Sequence, residues 1–168
     1  MCPWIEPGVG AVATQSLVKV SYGPRGLKLL KAGKQPSEAL EFLIKSDENS
    51  SVRQVAILDA EGRIAAHTGS KCIAEAGHII GDGYSVQANM MLKSTVWPAM
   101  AEAFENSEGE LAARLLTALK AGQNEGGDIR GMQSAAMLVA GGDRTDEPWE
   151  KMVVDIRCLL YTSDAADE

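Results

Sequence analysis

Apolar positions alternate in some segments of the chain and recur every three to four residues in others, which predicts short strands mixed with helices. Small and β-branched residues over 8–14 predict a strand packed closely against its neighbours. Turn residues at 60–62 and 81–83 lie between apolar runs, and each predicts a hairpin. Ser107 and Glu110 predict a capping box before a helix. The other predicted elements are helices over 24–32, from Pro36, over 95–106 and over 111–122, and strands over 133–140 and 152–156.

The segment 133–140 indicates how the elements are layered. Ala136 and Leu138 lie on one face of this predicted strand, and three further apolar residues lie on the other. A strand that is apolar on both faces is normally covered on both. Because paired helices lie between groups of strands, the pattern favours a layered α+β fold with mainly antiparallel hairpins. A length of 168 residues fits one domain.

Composition excludes several classes of function. With 16 basic and 23 acidic residues the net charge is −7, which argues against a nucleic-acid or anionic-membrane partner. No apolar run approaches the roughly 20 residues that span a bilayer. The opening MCPWIEP lacks the features of a secretory signal, so a cytoplasmic location is expected. Three scattered cysteines favour neither a disulfide framework nor a metal cluster, and no cofactor or metal is expected.

The final segment, 158–168, matches the translation of a transposase adapter used to build sequencing libraries. Eleven residues in the same order are very improbable by chance, so we interpret CLLYTSDAADE as a non-native tail. Cys158 is then expected to carry no chemistry. Without the tail's three acidic residues the net charge is 16 − 20 = −4. The native part is therefore predicted to be a single domain over 1–157 that stops inside or just after a strand.

Three local patterns resemble functional motifs, and a structural interpretation fits each better. Residues 8–13 match a dinucleotide-binding pattern, but no strand is predicted before them and no helix begins within them. His67, Cys72 and His78 lack the spacing and the fourth ligand of a zinc site, so two half-buried, hydrogen-bonded histidines are expected. Cys2 would become an N-terminal thiol if the initiator were removed. A start codon inside a longer gene is the preferred interpretation of that end.

The stretch 126–136 holds the most information about a site. Its glycines permit a tight loop and close approach of the backbone to another group. Asp128 and Arg130 form an ion pair that braces the loop, or they face a polar ligand. Polar residues also begin the strand that follows, and two more lie on one face of the second hairpin. The candidate pocket residues are therefore Gln87, Asn89, Asp128, Arg130, Gln133 and Ser134.

Six sequence blocks follow one another along the chain, namely GVGAVATQ, YGPRGLKLLKAG, RQVAILDAEGRIAAHTG, GYSVQANMML, MAEAFE and LAARLLTALKAGQNEGGDIRGMQSAAMLV. Together they resemble the family called domain of unknown function 1028, which is placed among the N-terminal nucleophile hydrolases. The resemblance extends from Pro3 to Arg157. It implies a four-layer αββα sandwich with mainly antiparallel sheets, here incomplete at both ends.

The resemblance also implies where the attacking group would be. Family members usually begin with a strand that opens in Met-Thr, followed by a second strand, before the segment that matches Pro3 and Trp4. In an N-terminal nucleophile hydrolase the first residue of the mature chain attacks, and its α-amine acts as the general base. An ordinary α-amine pKa of about 7.7–8.0 suits this role. The nucleophile is therefore expected upstream of Met1.

Two functions remain open from the sequence. In the first, the chain is an inactive fragment of an amidohydrolase that acts on a small-molecule or peptide-like amide, and the candidate residues form part of its pocket wall. In the second, the same fold binds a ligand or partner without catalysis. A homo-oligomer is compatible with either.

Overall fold

Residues 3–159, which the computed structural model describes, form a mixed α+β structure with antiparallel sheets. Its elements are β1 (Pro3–Glu6), β2 (Gly10–Ser16), α1 (Tyr22–Lys31), α2 (Pro36–Lys45), β3 (Arg53–Asp59), β4 (Ile64–Thr68), β5 (Gly77–Gly81), β6 (Tyr84–Ala88), α3 (Val96–Glu105), α4 (Leu111–Asn124), β7 (Ser134–Ala140) and β8 (Met152–Leu159). A four-stranded sheet has the order β1-β2-β3-β4, while β5–β6 and β7–β8 are two-stranded. Cys2 and most of the expected tail, 160–168, lie outside the described residues.

Helices α1 and α2 cover one face of the four-stranded sheet. Val12, Val55 and Ile57 belong to that face and are at most 1% exposed. Tyr22 from α1 and Leu43 from α2 are completely buried against them. Burial of an aliphatic side chain of this size stabilises a fold by about 1.5–3 kcal/mol. This cluster therefore fixes the two helices on the sheet.

Two glycines allow α1 to approach the sheet closely. A Cβ atom on Gly23 would lie 2.1 Å from the Trp4 ring, and one on Gly26 would lie 2.9 Å from a Val12 methyl. Both distances are shorter than ordinary van der Waals contact, so the side chains of β1 and β2 occupy the space that larger residues would need. The YGPRG block is thus explained by packing.

A buried carboxylate links α1, α2 and β3. Asp47 accepts hydrogen bonds from the Tyr22 hydroxyl (2.9 Å) and from Arg53 Nε (3.0 Å), and Lys19 Nζ lies 3.1 Å from it. The Asn49 N–H also donates to Asp47, at 3.1 Å. Burial by itself would raise the pKa of Asp47, but these donors, Arg53 first, hold its pKa well below the usual range. The carboxylate is therefore ionised and fully engaged.

The hairpin β5–β6 lies between the four-stranded sheet and α3. Val86 and Ala88 are buried on the side of α3, where the Trp97 ring occupies the space beside Gly77. Helix α4 packs in turn on α3. Contacts therefore run from α1 and α2 to the four-stranded sheet, from this sheet to the β5–β6 hairpin, and from the hairpin through α3 to α4.

Most of the predicted elements are confirmed. The two hairpins and the four helices occur where turn residues and periodicity placed them, with ends shifted by one or two residues. The strand β1 was not predicted. The predicted capping box is wrong, because Ser107 Oγ donates back to the carbonyl of Phe104 at 2.7 Å and Glu110 is the residue that precedes the helix.

The expectation that the strand over 133–140 is covered on both faces is also wrong for the described residues. This strand begins at Ser134, and Ala135 and Ala136 are exposed. It pairs with β8, whose Val153 and Ile156 are 69% and 62% exposed. Its apolar composition therefore does not correspond to a buried position here.

No helix within residues 3–159 has the length and hydropathy needed to cross a bilayer.

Candidate functional site

Five strand ends meet at one end of the space between the four-stranded sheet and the β5–β6 hairpin. Strand β2 ends at Ser16 opposite the start of β3, and β4 ends at Thr68 opposite Gln54. The Gln54 side chain crosses to the carbonyls of Gly77 and Ala88, which begin β5 and end β6. Side chains that are far apart in sequence therefore converge here.

Gln54 is the centre of this cluster. It is 0% exposed, and its Nε2 lies 2.8 Å from the Ala88 carbonyl, 3.1 Å from the Gly77 carbonyl and 3.0 Å from Thr68 Oγ1. Its Oε1 accepts a hydrogen bond of 2.9 Å from Asn89 Nδ2. A buried amide with this many partners is well satisfied and fixes the position of its neighbours.

Two acceptors next to Gln54 are unsatisfied. Gln87 donates through Nε2 to the Ala13 carbonyl at 3.1 Å, but its Oε1 is buried without a donor among the described residues. The same holds for Oε1 of Gln15, which lies opposite Gln54 in the sheet. A buried polar atom without a partner costs about 1–3 kcal/mol. Both atoms are therefore suited to accept hydrogen bonds from a bound N–H or O–H group.

A hydroxyl–imidazole pair borders the cluster. Thr68 Oγ1 lies 2.8 Å from His78 Nδ1, and because it accepts from Gln54 its hydrogen is free to point to the imidazole. Burial, followed by the charge of His67, lowers the pKa of His78 below its usual value. His67 bonds through Nε2 to the Ser50 carbonyl at 2.9 Å. The prediction of two partly buried, hydrogen-bonded histidines is confirmed.

We expect His78 to titrate below the ordinary histidine value of about 6.5. Replacing His67 by asparagine removes the smaller cause of the shift, so the pKa of His78 should rise while remaining below that value. The neutral imidazole is favoured in the fold, and its contribution to stability is present above about pH 6.5 and lost as pH falls through the folded pKa. An NMR titration of the ring protons measures this directly, since the variant holds a single histidine. A wild-type midpoint at or above 6.5 would contradict the assignment.

Backbone strain marks the same end of the sheets. Ser16 and Met90 have φ angles of 65° and 59°, in the left-handed region that residues other than glycine rarely adopt. Ser16 follows Gln15, and Met90 follows Asn89. Such residues cost about 1–3 kcal/mol each and cluster at functional sites.

The loop over 126–131 lies beside this end. The Met90 carbonyl accepts a hydrogen bond of 3.0 Å from the Ile129 N–H. Within the loop, Arg130 forms a two-point ion pair with Asp128 at 2.9 and 2.7 Å. The structure therefore agrees with the interpretation in which Asp128 and Arg130 form an ion pair that stabilises the loop. The Arg130 guanidinium holds the pKa of Asp128 below its usual value, although burial acts in the opposite direction.

The six predicted pocket residues are thus placed differently. Gln87 and Asn89 contact the cluster, and Asp128 and Arg130 belong to the loop beside it. Gln133 bonds to the Arg130 carbonyl at 3.4 Å and is exposed, as is Ser134 at the start of β7.

Sequence reasoning did not single out Gln15, Gln54 and Thr68, and it gave His78 a structural role outside the candidate pocket. One signal was present, because Gln54 is a polar, buried residue directly before the apolar run over 55–58 of the same strand.

Fold and site together describe an α+β protein with an amide-rich cluster between two sheets. The family of unknown function DUF1028 matches residues 1–163, and the chain belongs to that family.

A solved structure adds to this. The chain is 30% identical to protein SPO2555 from Silicibacter pomeroyi, described as a DUF1028 protein, and superposes on it with a TM-score of 0.84. The match covers 96% of this chain and 67% of that protein. No curated protein matches the chain.

Proposed function

We propose that the cluster around Gln54 binds an amide. We further propose that the chain is part of an amide-bond hydrolase of the N-terminal nucleophile type. The observation that carries the proposal is the pair of unsatisfied acceptors, Gln15 Oε1 and Gln87 Oε1, beside a fixed amide network. An amide ligand supplies the N–H donors that these acceptors lack. The four-layer αββα arrangement is part of the same proposal, and the order of contact from α1 and α2 to α3 and α4 supports it.

The cluster also offers a donor for the ligand's carbonyl. Asn89 uses one of its two N–H groups on Gln54, and the second is available to a ligand oxygen. In amide hydrolysis that oxygen becomes negative in the transition state, and a positioned side-chain N–H stabilises it. The attacking group in this proposal is an N-terminal residue whose α-amine accepts its proton, and it lies outside the described residues.

Binding is tested with N-methylacetamide as the probe, by following side-chain amide resonances of the 168-residue chain. We expect saturable shifts of the Gln87 and Asn89 side-chain signals, because both lie in the cluster. Gln87→Met should remove the shift of Asn89, since methionine keeps the length of the side chain without its acceptor. Gln133→Met is the matched control on an exposed residue and should leave the titration unchanged. Shifts that do not saturate, or equal effects of both variants, would contradict the site.

Catalysis is tested in the Silicibacter pomeroyi relative with a screen of amide substrates. Replacement of the residue after its initiator methionine by alanine should abolish hydrolysis. Hydrolysis that survives this change would exclude the N-terminal nucleophile.

A binding protein without catalysis is the second candidate. One observation favours it: among the described residues, the side chains that bond directly to Gln54 are an amide and a hydroxyl, with no acid or base among them. In that case the relative would bind amides in the same way and hydrolyse none.

A further inference from the structure

We propose that the amide bound at this site is uncharged and carries an aliphatic side chain; the proposal rests on the amide-binding function proposed above. It follows from the apolar side chains that surround the cluster and from the pairing of the charges near them.

Three exposed aliphatic residues border the cluster. Leu17 follows the strained Ser16, and it is 57% exposed. Ile73 and Ile129 are 46% and 55% exposed, on the segments that flank Met90. We call Leu17, Ile73 and Ile129 the aliphatic rim. Exposed aliphatic side chains on segments that border a site offer apolar contact to a ligand group.

Hydrogen bonds connect the segments of the aliphatic rim with the strand ends that form the site. The Leu17 N–H donates to the Val52 carbonyl, directly before Gln54's strand begins. The Met90 N–H donates to the Ile73 carbonyl at 2.9 Å, while the Met90 carbonyl accepts from Ile129. Met90 follows Asn89 in the chain, so Ile73 and Ile129 are attached to the backbone next to the available amide donor.

Two arginines beside the aliphatic rim are already paired with carboxylates. Arg53, which also bonds the Leu17 carbonyl, forms its ion pair with the buried Asp47. Arg130, next to Ile129, is paired with Asp128.

Lys71 and Glu75 lie two positions before and after Ile73 and carry opposite charges, so this segment adds no net charge near the site. A charged ligand would lose hydration here and find no single uncompensated partner. An uncharged aliphatic group loses no such hydration and gains apolar contact.

The experiment compares three probes that share one backbone, the N-acetyl amides of leucine, aspartate and lysine. Their dissociation constants are measured with the 168-residue chain from the Gln87 and Asn89 side-chain signals. We expect the leucine amide to bind about tenfold more tightly than either charged amide, which corresponds to about 1.4 kcal/mol. Ile129→Ser should reduce this preference severalfold. Ile156→Ser, at an equally exposed isoleucine of β8, is the matched control and should leave it intact.

The outcomes separate this inference from the function on which it rests. Binding of all three amides with equal affinity, or tighter binding of a charged one, overturns the proposed ligand class and leaves amide binding in place. Tighter binding of the aspartate amide would assign the preference to Lys71. Failure of all three to bind overturns the amide-binding function itself. A leucine preference that Ile156→Ser reduces as much as Ile129→Ser would show that the aliphatic rim is not its source.

Discussion

Replacing Asp47 by asparagine is expected to lower the free energy of unfolding by about 3–5 kcal/mol, the range measured when one partner of a buried ion pair is removed. The Asp47 carboxylate is 3% exposed and engages Arg53, Lys19 and the buried Tyr22 hydroxyl. The amide leaves both cations without a counter-charge. Urea denaturation followed by circular dichroism measures the loss. Glu48→Gln is the matched control, because Glu48 is the exposed neighbour, and it should change stability little.

The same substitution has a pH signature. The folded pKa of Asp47 is depressed, so its contribution to stability is fully present above the ordinary carboxyl value of about 3.9 and is lost as pH falls through the folded pKa. The difference between wild type and Asp47→Asn should therefore be constant near neutral pH and shrink in acid. A difference that does not change down to pH 2 would show that the effect arises from packing and not from charge.

Gln54→Leu is expected to destabilise the protein by about 2–4 kcal/mol, since each buried group left without a partner costs about 1–3 kcal/mol. The substitution removes the donor to the Ala88 and Gly77 carbonyls, and it removes the acceptor of the Asn89 amide. Denaturation measures the loss of stability, and the Asn89 side-chain signal reports the loss of order at the site. Gln133→Leu changes the same residue type at an exposed position and should cost far less.

Gln54→Glu distinguishes lost hydrogen bonds from lost packing. It keeps the shape of the side chain and its acceptor toward Asn89, but an ionised carboxylate cannot donate to the two carbonyls. We expect Gln54→Glu to lose as much stability at neutral pH as Gln54→Leu does. The loss for Gln54→Glu should become smaller as pH falls, because the protonated carboxyl can donate again. A stability equal to wild type at neutral pH would show that the hairpin is held by other contacts.

Local chemistry explains which features the sequence predicts. The glycine turns at 60–62 and 81–83 and the proline at 36 act within a few residues, so the hairpins and helix α2 follow from them. Gln87 and Asn89 were assigned to one face because residues two apart in a strand point the same way. Both indeed donate hydrogen bonds into the space between the sheets.

Non-local pairing explains what the sequence could not predict. The partners of Gln54 lie 14 to 35 positions away, so nothing near it in the chain indicates that it is the centre of the cluster. The strand β1 has four residues, too few for alternation to be evident, and becomes a strand by pairing with β2. Ser107 had a nearer carbonyl to bond than the helix start that it was expected to cap. In each case the local structure depends on a contact that cannot be read from the spacing of residues in the sequence.

The β5–β6 hairpin contacts its neighbouring sheet through side chains such as Gln54 and Gln87, whereas the strands within each group exchange backbone hydrogen bonds. The amides of Gln54 and Gln87 hydrogen-bond to backbone carbonyls across the space between the two sheets. The position of the hairpin on the sheet therefore depends on side-chain amides, while the pairing of strands within each sheet does not.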